Sequence, residues 1–135
     1  MEPEACWRLI SESPVAVLST VRVDGGPRSV PVVFGVTDDR RLVTAVDHKP
    51  KSTRALRRLD DIAAEPRVTL LCHHYADDWT ELWWVRVDGT AEVTDDPDPA
   101  VRQALTDRYP QYTEQPPAGP WILITPRNVT GWQAQ

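Results

Sequence analysis

The densest group of residues that could do chemistry lies at positions 48–58, H-K-P-K-S-T-R-A-L-R-R. This basic segment holds five cations and no acid in a chain of net charge −5, and a helix is predicted to begin at Ser52. A helix N-terminus carries partial positive charge, so each cation there is unfavourable by about 0.3–1 kcal/mol. A bound anion would remove this conflict. The segment therefore predicts a phosphate site, with Lys49, Lys51 and Arg54 as ligands.

The basic segment has a second interpretation, a solvated basic face. Lys49 and Arg57 fit that interpretation, and His48 is placed either to meet a ligand or to cap a turn. The segment is not a P-loop, because the GxxxxGK spacing is missing. Both interpretations stay open on these residues alone.

Other chemistry-bearing residues form weaker patterns. His73 and His74 are adjacent on a predicted strand, so their side chains point to opposite faces and do not easily share a metal ion. Apart from Cys72, no thiol or carboxylate stands at metal-ligand spacing from them. No serine lies in a nucleophile elbow. We therefore predict no metal site, and we assign no catalytic residue.

Composition narrows the class of protein. The net charge of −5 argues against a nucleic-acid binder. No apolar run is long enough to span a membrane, and the first residues do not resemble a secretory signal. Two distant cysteines are expected to be reduced and buried, which suits the cytoplasm. Six tryptophans against one phenylalanine either line a ring-binding surface or an interface, or simply fill a small core.

The hydrophobic patterning predicts one domain, residues 1–135, that is mainly β with short helices. Six antiparallel strands with few helices suit a small barrel, which removes exposed edges. Pro31 implies an edge, a bulge or a position whose amide the ladder does not need. Gly89 is expected to form a bulge, and the fourth strand to be covered on both faces. Helices are predicted at 2–13, 52–64 and 100–109, and strands at 15–23, 28–36, 42–46, 67–75, 82–94 and 121–125, with an irregular excursion at 110–120 and a tail at 127–135.

Several segments together resemble a known family. LSTVRVDGGPRSVPVVFGV, LVTAVDHKPKSTRALRRL, EPRVTLLCHHY and LWWVRVDGTAEV are similar to the pyridoxamine 5′-phosphate oxidase-like split-barrel proteins. Within that family the chain most resembles the actinobacterial branch that uses coenzyme F420, through D-H-K-P-K and the segment at 78–89. The R-x-H motif of the true oxidases is missing, since Arg127-Asn128-Val129 lacks the histidine. Oxidation of pyridoxine 5′-phosphate is therefore not expected.

The resemblance implies a six-stranded antiparallel split β-barrel of the FMN-binding type. It also implies a homodimer with two ligand sites, each built from both subunits. The ring would lie against the second and third strands, and the phosphate would be held by the basic residues that follow. The implied cofactor-binding residues are Ser29, Val30, Pro31, Val32, Thr44, Val46, Asp47, His48, Lys49, Lys51 and Arg54.

Tryptophans are the candidates for the wall of the substrate pocket. Trp79, Trp83 and Trp132 are the ones we select. Trp83 and Trp84 are adjacent on a strand and must face opposite ways, so one of them is expected to meet the partner subunit or a covering helix.

The function implied by the resemblance is that of an F420-dependent oxidoreductase, which transfers a hydride between the deazaflavin and a small conjugated organic substrate. One alternative keeps the fold and replaces F420 with FMN. Another is a non-catalytic carrier of a cofactor or a tetrapyrrole. The short Lys/Arg phosphate grip serves either F420 or FMN, so the residues alone discriminate poorly between the two.

Overall fold

The computed structural model describes residues 1–46 and 53–135, and in this part of the chain seven strands form one antiparallel sheet. The strand order is β2-β1-β5-β6-β7-β4-β3. The elements in chain order are α1 (Pro3–Glu12), β1 (Ala16–Val21), β2 (Pro27–Val32), β3 (Gly35–Val36), β4 (Leu42–Ala45), α2 (Thr53–Ala64), β5 (Arg67–His74), a 3-10 turn (Trp79–Glu81), β6 (Trp83–Thr94), α3 (Pro99–Thr106), α4 (Gln111–Glu114) and β7 (Trp121–Gln133).

The alternation of side chains along β1 gives the sheet two unlike faces. Ala16, Leu18 and Thr20 are buried on the inner face, whereas Val17 and Ser19 are half-buried on the outer face. In the single described chain the strand β5 alternates in the same way, so the prediction that residues 67–75 are covered on both faces is not met there. The sequence does not reveal the alternation of β5, because the outer-face residue Leu71, which is half-buried, is as apolar as its buried neighbour Leu70.

The core lies on the inner face of the sheet. Apolar side chains of the central strands, such as Leu18, Leu70 and Ile122, pack there with Ile10 of α1 and Ile62 of α2. A second, smaller cluster packs α3 against β4 and β7 through Leu105, Val43 and Trp121. The short helices are thus held by burial against the sheet, which is the usual source of helix stability in proteins.

The split-barrel expectation holds, but the described chain has seven strands rather than six. The predicted strand 28–36 divides into β2 and β3, because the chain leaves the ladder after Val32 and buries Phe34 in the core. Gly35 then passes so close to α3 that a Cβ there would collide with the Ala104 carbonyl. Burial of one aromatic side chain and a close backbone approach therefore interrupt a continuous β-branched run.

The predicted tail at 127–135 is wrong as well. Residues 121–133 form one strand, β7, which pairs with β6 from Trp121 to Gln133. Pro126, just after the predicted strand, has no N–H to donate to a ladder. Pro126 instead lies where the ladder shifts register, so the sheet continues past it.

The expected positions of Pro31 and Gly89 are confirmed. Pro31 lies on β2, an edge strand of the sheet, and the β6–β7 register shifts between Asp88 and Gly89. The helix predicted at 100–109 ends earlier, at Thr106, and α4 follows within the segment predicted to be irregular. None of the described helices is long and apolar enough to cross a membrane.

Arg108, just after α3, joins three parts of the chain. Its guanidinium donates to the carbonyl oxygens of Phe34 at 2.9 Å, Ser11 at 2.7 Å and Ser13, and lies over the Phe34 ring. The next residue, Tyr109, places its hydroxyl 2.8 Å from the Pro14 carbonyl oxygen and 2.9 Å from that of Phe34. These contacts fix the end of α3 against the α1–β1 connection and the β2–β3 link.

Candidate functional site

The helix α2 contains the second half of the basic segment and is tied to the sheet through a buried carboxylate. Asp61 is 2% exposed, and its Oδ2 accepts hydrogen bonds from Thr20 Oγ1 at 2.9 Å and from Arg28 Nε at 2.7 Å. Thr20 and Arg28 lie opposite each other on β1 and β2. One carboxylate therefore fixes α2 to two strands at once.

Arg58 lies on the same face of α2, one turn before Asp61 and Ile62, since residues three and four apart are neighbours on a helix. Its side chain is half-buried, and its Nε is buried with no hydrogen-bond partner in the described part of the chain. Burial lowers the pKa of the Arg58 guanidinium. A buried charged donor without a partner is costly. This cation is therefore suited to an anion that comes from outside the fold.

The residues predicted to hold the phosphate are not settled by the structure. Asp47, His48, Lys49 and Lys51 lie outside the described residues, and so does the side chain of Arg54. They remain predictions. What the structure adds is Arg58, which the sequence analysis counted among the cations without selecting it. A signal was available, because Arg58 is four residues before the apolar Ile62 and so shares the core-facing stripe of α2.

The strand residues predicted to contact the ring fall into two groups. On β2, Ser29 and Pro31 are exposed on the outer face, while Val30 is half-buried and Val32 buried on the inner face. The Ser29 hydroxyl lies 2.8 Å from that of Ser19 on the neighbouring strand. The outer face of β2 is thus accessible and partly polar.

The second group, on and just after β4, is enclosed. Thr44 and Val46 are both buried, and the Thr44 hydroxyl donates to the Val33 carbonyl oxygen at 2.7 Å. The strands β1, β5, β6 and β7 separate β2 from β4 in the sheet order. The structure therefore does not show the two groups meeting at one surface of a single chain.

One cavity of about 620 Å³ brings a predicted cofactor residue together with a predicted pocket residue. Pro31 and Trp83 both line it, together with His73 and His74 at the end of β5. The His74 ring stacks on Trp83, with centroids 6.5 Å apart and 26° between planes. The rest of this His–Trp cavity is mostly aliphatic, and its volume falls in the range of small-molecule sites. Its further lining residues include Leu9, Val15, Val17 and Leu71.

The other two selected tryptophans do not line the His–Trp cavity. Trp79 is 78% exposed on the 3-10 turn, and Trp132 is 43% exposed on β7. Trp132 pairs across the ladder with Trp84, over which the Arg86 guanidinium lies at 5.7 Å. Among the selected tryptophans, only Trp83 is placed by the described chain at a cavity.

Both thiols are buried and unpaired with each other. Burial raises the pKa of Cys72 to about 11 and also raises the pKa of Cys6. A thiol that stays protonated is a poor nucleophile. Neither cysteine is therefore suited to covalent catalysis. The described residues contain no cluster of three or more metal-ligating side chains.

The pyridoxamine 5′-phosphate oxidase family model matches residues 3–133, and the chain belongs to that family. No curated protein sequence matches the chain. The family assignment agrees with the split-barrel fold and with the resemblance seen in the sequence. The F420 branch is not distinguished by this match.

Solved structures support the same fold at low sequence identity. A conserved hypothetical protein from Mycobacterium tuberculosis is similar with a TM-score of 0.76 and 21% identity, over 98% of this chain and 85% of that one. An FAD-binding protein from Mycobacterium smegmatis has a TM-score of 0.66 and 17% identity, over 98% and 95% of the chains. A heme storage protein from Vibrio cholerae has a TM-score of 0.69 and 16% identity, over 98% and 93%.

Proposed function

We propose that this chain is a cytoplasmic, homodimeric oxidoreductase that binds coenzyme F420 and transfers a hydride to or from a small conjugated organic molecule. The observation that carries the proposal is the half-buried Arg58 guanidinium, whose Nε has no partner in the described chain. Such a cation fits the phosphate that flavins and deazaflavins carry. The family model supports a cofactor of this general class.

Several residues on and near α2 are proposed to hold that phosphate together. Arg58 offers a guanidinium that is already partly desolvated at its Nε, so a hydrogen bond from that atom to an anion is stronger than in water. Asp61 holds α2 and Arg28 in place. In this proposal Lys49, Lys51 and Arg54 complete the grip from the basic segment, as the sequence predicts.

The ring of the cofactor is proposed to lie at β2, an edge strand, around which a cofactor whose phosphate is held at Arg58 on the inner-face side would reach the exposed outer-face residues. Ser29 and Pro31 are exposed there, and the His–Trp cavity opens an apolar space beside Pro31. A bound deazaflavin or flavin supplies the hydride chemistry itself. The chain binds and orients the ring and excludes water, with Trp83 as the proposed wall of the substrate pocket.

A second copy of the chain is proposed to complete each site. The outer face carries half-buried apolar side chains on β1 and β5 and the tryptophan pair of β6 and β7, Trp84 and Trp132. Large aromatic side chains of this kind are enriched at protein interfaces. Packing two outer faces together would cover both tryptophans and enclose the ring.

F420 is preferred over FMN on sequence resemblance alone, and FMN remains the alternative within the same site. A non-catalytic tetrapyrrole carrier is the second candidate function. One observation favours it: His73 and His74 line a largely apolar cavity, where an imidazole could ligate an iron ion. The similarity to a heme storage protein is compatible with that candidate.

Turnover separates the two functions. The purified protein is incubated with reduced F420, or with FMN and a reductant, and a panel of quinones and conjugated enones is tested as acceptors. An oxidoreductase is expected to oxidise the reduced cofactor with at least one acceptor, and the Arg58→Gln variant to raise its half-saturating concentration. Failure with every acceptor, together with a heme Soret shift that His73→Ala or His74→Ala abolishes, would establish the carrier instead.

A further inference from the structure

A second cavity, of about 490 Å³, lies over the outer face of the sheet near the β1–β2 turn. Its polar lining includes the hydroxyl residues Ser19 and Thr69, the carboxylate residue Asp88, and the two arginines Arg67 and Arg127. We call it the outer-face cavity. Arg58 is not among its lining residues, although Thr20, which donates to Asp61 of α2, also lines it.

A β-bulge places Arg127 at this cavity. Asp88 pairs with Asn128 and Gly89 pairs with Pro126, so Arg127 is the extra residue that no β6 residue faces. Bulges re-aim a side chain out of the regular alternation of a strand. Pro126 sits beside the extra residue, and a bulge is one of the places where a sheet tolerates a residue without an N–H.

Gly89 is required for this geometry. A Cβ at residue 89 would lie 2.5 Å from the Thr125 carbonyl oxygen, which is closer than real contacts allow. The two strands therefore approach each other at the bulge in a way that only glycine permits. Three residues therefore determine the position of the Arg127 side chain: Gly89, Pro126 and Arg127 itself.

The charges at the outer-face cavity are not balanced. Arg67 is paired with Glu65, and Asp88 lies 3.4 Å from Arg86. Within the part of the chain that the structure describes, Arg127 makes no ion pair or side-chain hydrogen bond. A planar guanidinium with its donors uncommitted matches a carboxylate or phosphate group. The cavity therefore offers a positive site in a chain whose net charge is −5.

We propose that the outer-face cavity binds the carboxylate or phosphate group of a small organic ligand, with Arg127 as the principal ligand residue and Arg67 beside it. The hydroxyls of Ser19 and Thr69 are placed to donate to the same anion. This site goes beyond the proposed cofactor function, and it requires the β1–β2 turn end of the outer face to stay open when two copies pack together.

The test is an NMR titration of ¹⁵N-labelled wild-type protein, followed at backbone amides and arginine Nε–Hε groups. Succinate and inorganic phosphate are the probes, added separately. We expect saturable shifts at Arg67, Thr69 and Arg127 with a Kd of about 1 mM or tighter for at least one probe. Tighter binding of succinate would indicate a carboxylate ligand, and tighter binding of phosphate a phosphate ester.

Matched variants locate the effect. Arg127→Gln should weaken the binding at least tenfold, and Arg127→Lys should weaken it less, because lysine keeps the charge without the planar fork. Arg22→Gln is the control, since Arg22 is near the same turn but pairs with Asp24 and does not line the cavity. Equal binding by wild type and Arg127→Gln would overturn the proposal. The absence of saturable shifts in the wild type would also overturn the proposal. That result is expected if an acidic side chain of a second copy fills the cavity. Shifts at Arg58 report the cofactor site separately, so the two proposals fail independently.

Discussion

At the scale of single residues, the half-buried Arg58 is the position where structure and function make opposite demands. A buried donor with no partner lowers stability, so a protein under no functional constraint would be expected to carry an apolar side chain there. Replacement of a buried charge by a hydrophobic residue of similar volume is often neutral or stabilising. Arg58 and its neighbour Arg57 therefore form a natural pair for comparison.

Arg58→Met is expected to stabilise the protein without ligand by about 1 kcal/mol, because it removes an unsatisfied buried cation and keeps most of the packing. Urea unfolding of the wild type and the variant measures this difference. Arg57→Met, at an exposed position of the same helix, should change the free energy of unfolding by less than about 0.5 kcal/mol. A clear loss of stability in Arg58→Met would show that the guanidinium has a structural partner.

The buried thiol of Cys72 predicts a stability loss at high pH. Its pKa is raised from 9.0 to about 11 in the folded chain, so the unfolded chain loses its proton first. The stabilising effect is present below pH 9 and is lost as the pH rises from 9 towards 11, by at most about 2–3 kcal/mol. Urea unfolding at several pH values measures it. Cys72→Ala should flatten the dependence in that window, and an equally steep fall in the variant would contradict the assignment.

At the scale of elements, α2 depends on one carboxylate. Asp61→Ala leaves Arg28 half-buried without its partner and breaks the link to Thr20. We expect a loss of about 3–5 kcal/mol in the free energy of unfolding, the range for breaking a buried ion pair. Asp60→Ala, at an exposed position on the same helix, is the matched control and should be nearly neutral. Similar values for the two variants would show that Asp61 does not anchor α2.

The helices and strands also show which features of the fold could be predicted from the sequence. Periodicity and turn residues predicted α1, the β1–β2 hairpin, the edge position of Pro31 and the bulge at Gly89, because each depends on local chemistry. The division into β2 and β3 depends on Phe34 entering the core and on Gly35 touching α3, which are contacts between distant parts of the chain. The second half of β7 was missed because its pairing with β6 outweighs the local effect of Pro126.

The candidate site was predicted less completely than the fold. The charge order of the basic segment pointed to an anion, and the structure supplied a buried cation on the same helix. The lack of a partner for the Nε of Arg58 within the described chain depends on which groups surround it, and no spacing rule reveals that. Thr44 and Val46 were selected through family resemblance, and the buried position of Thr44 comes with its hydrogen bond to the Val33 carbonyl oxygen on a separate segment.

At the scale of the whole molecule, we expect two chains per particle, with outer faces in contact. A stable interface buries about 800 Å² on each partner, and the Trp84–Trp132 pair would lie within it. Trp132→Asp is therefore expected to shift the particle mass in analytical ultracentrifugation from two chains to one. Val23→Asp, at an exposed position on the β1–β2 turn, should leave the mass unchanged. A monomeric wild type would remove the proposed second subunit from the site.

The central claim is that Arg58 holds the phosphate of a tricyclic cofactor, and equilibrium binding tests it most directly. The apoprotein is titrated separately with F420 and FMN while tryptophan fluorescence is followed, for the wild type, Arg58→Met and Arg57→Met. We predict saturable quenching with F420 bound more tightly than FMN. Arg58→Met should bind at least tenfold more weakly, corresponding to loss of a charged hydrogen bond of about 1.5–3 kcal/mol, and Arg57→Met should bind as the wild type does. A preference for FMN would identify FMN as the cofactor and would leave Arg58 as the phosphate ligand. Binding of neither ligand, or equal affinity in Arg58→Met, would contradict the account.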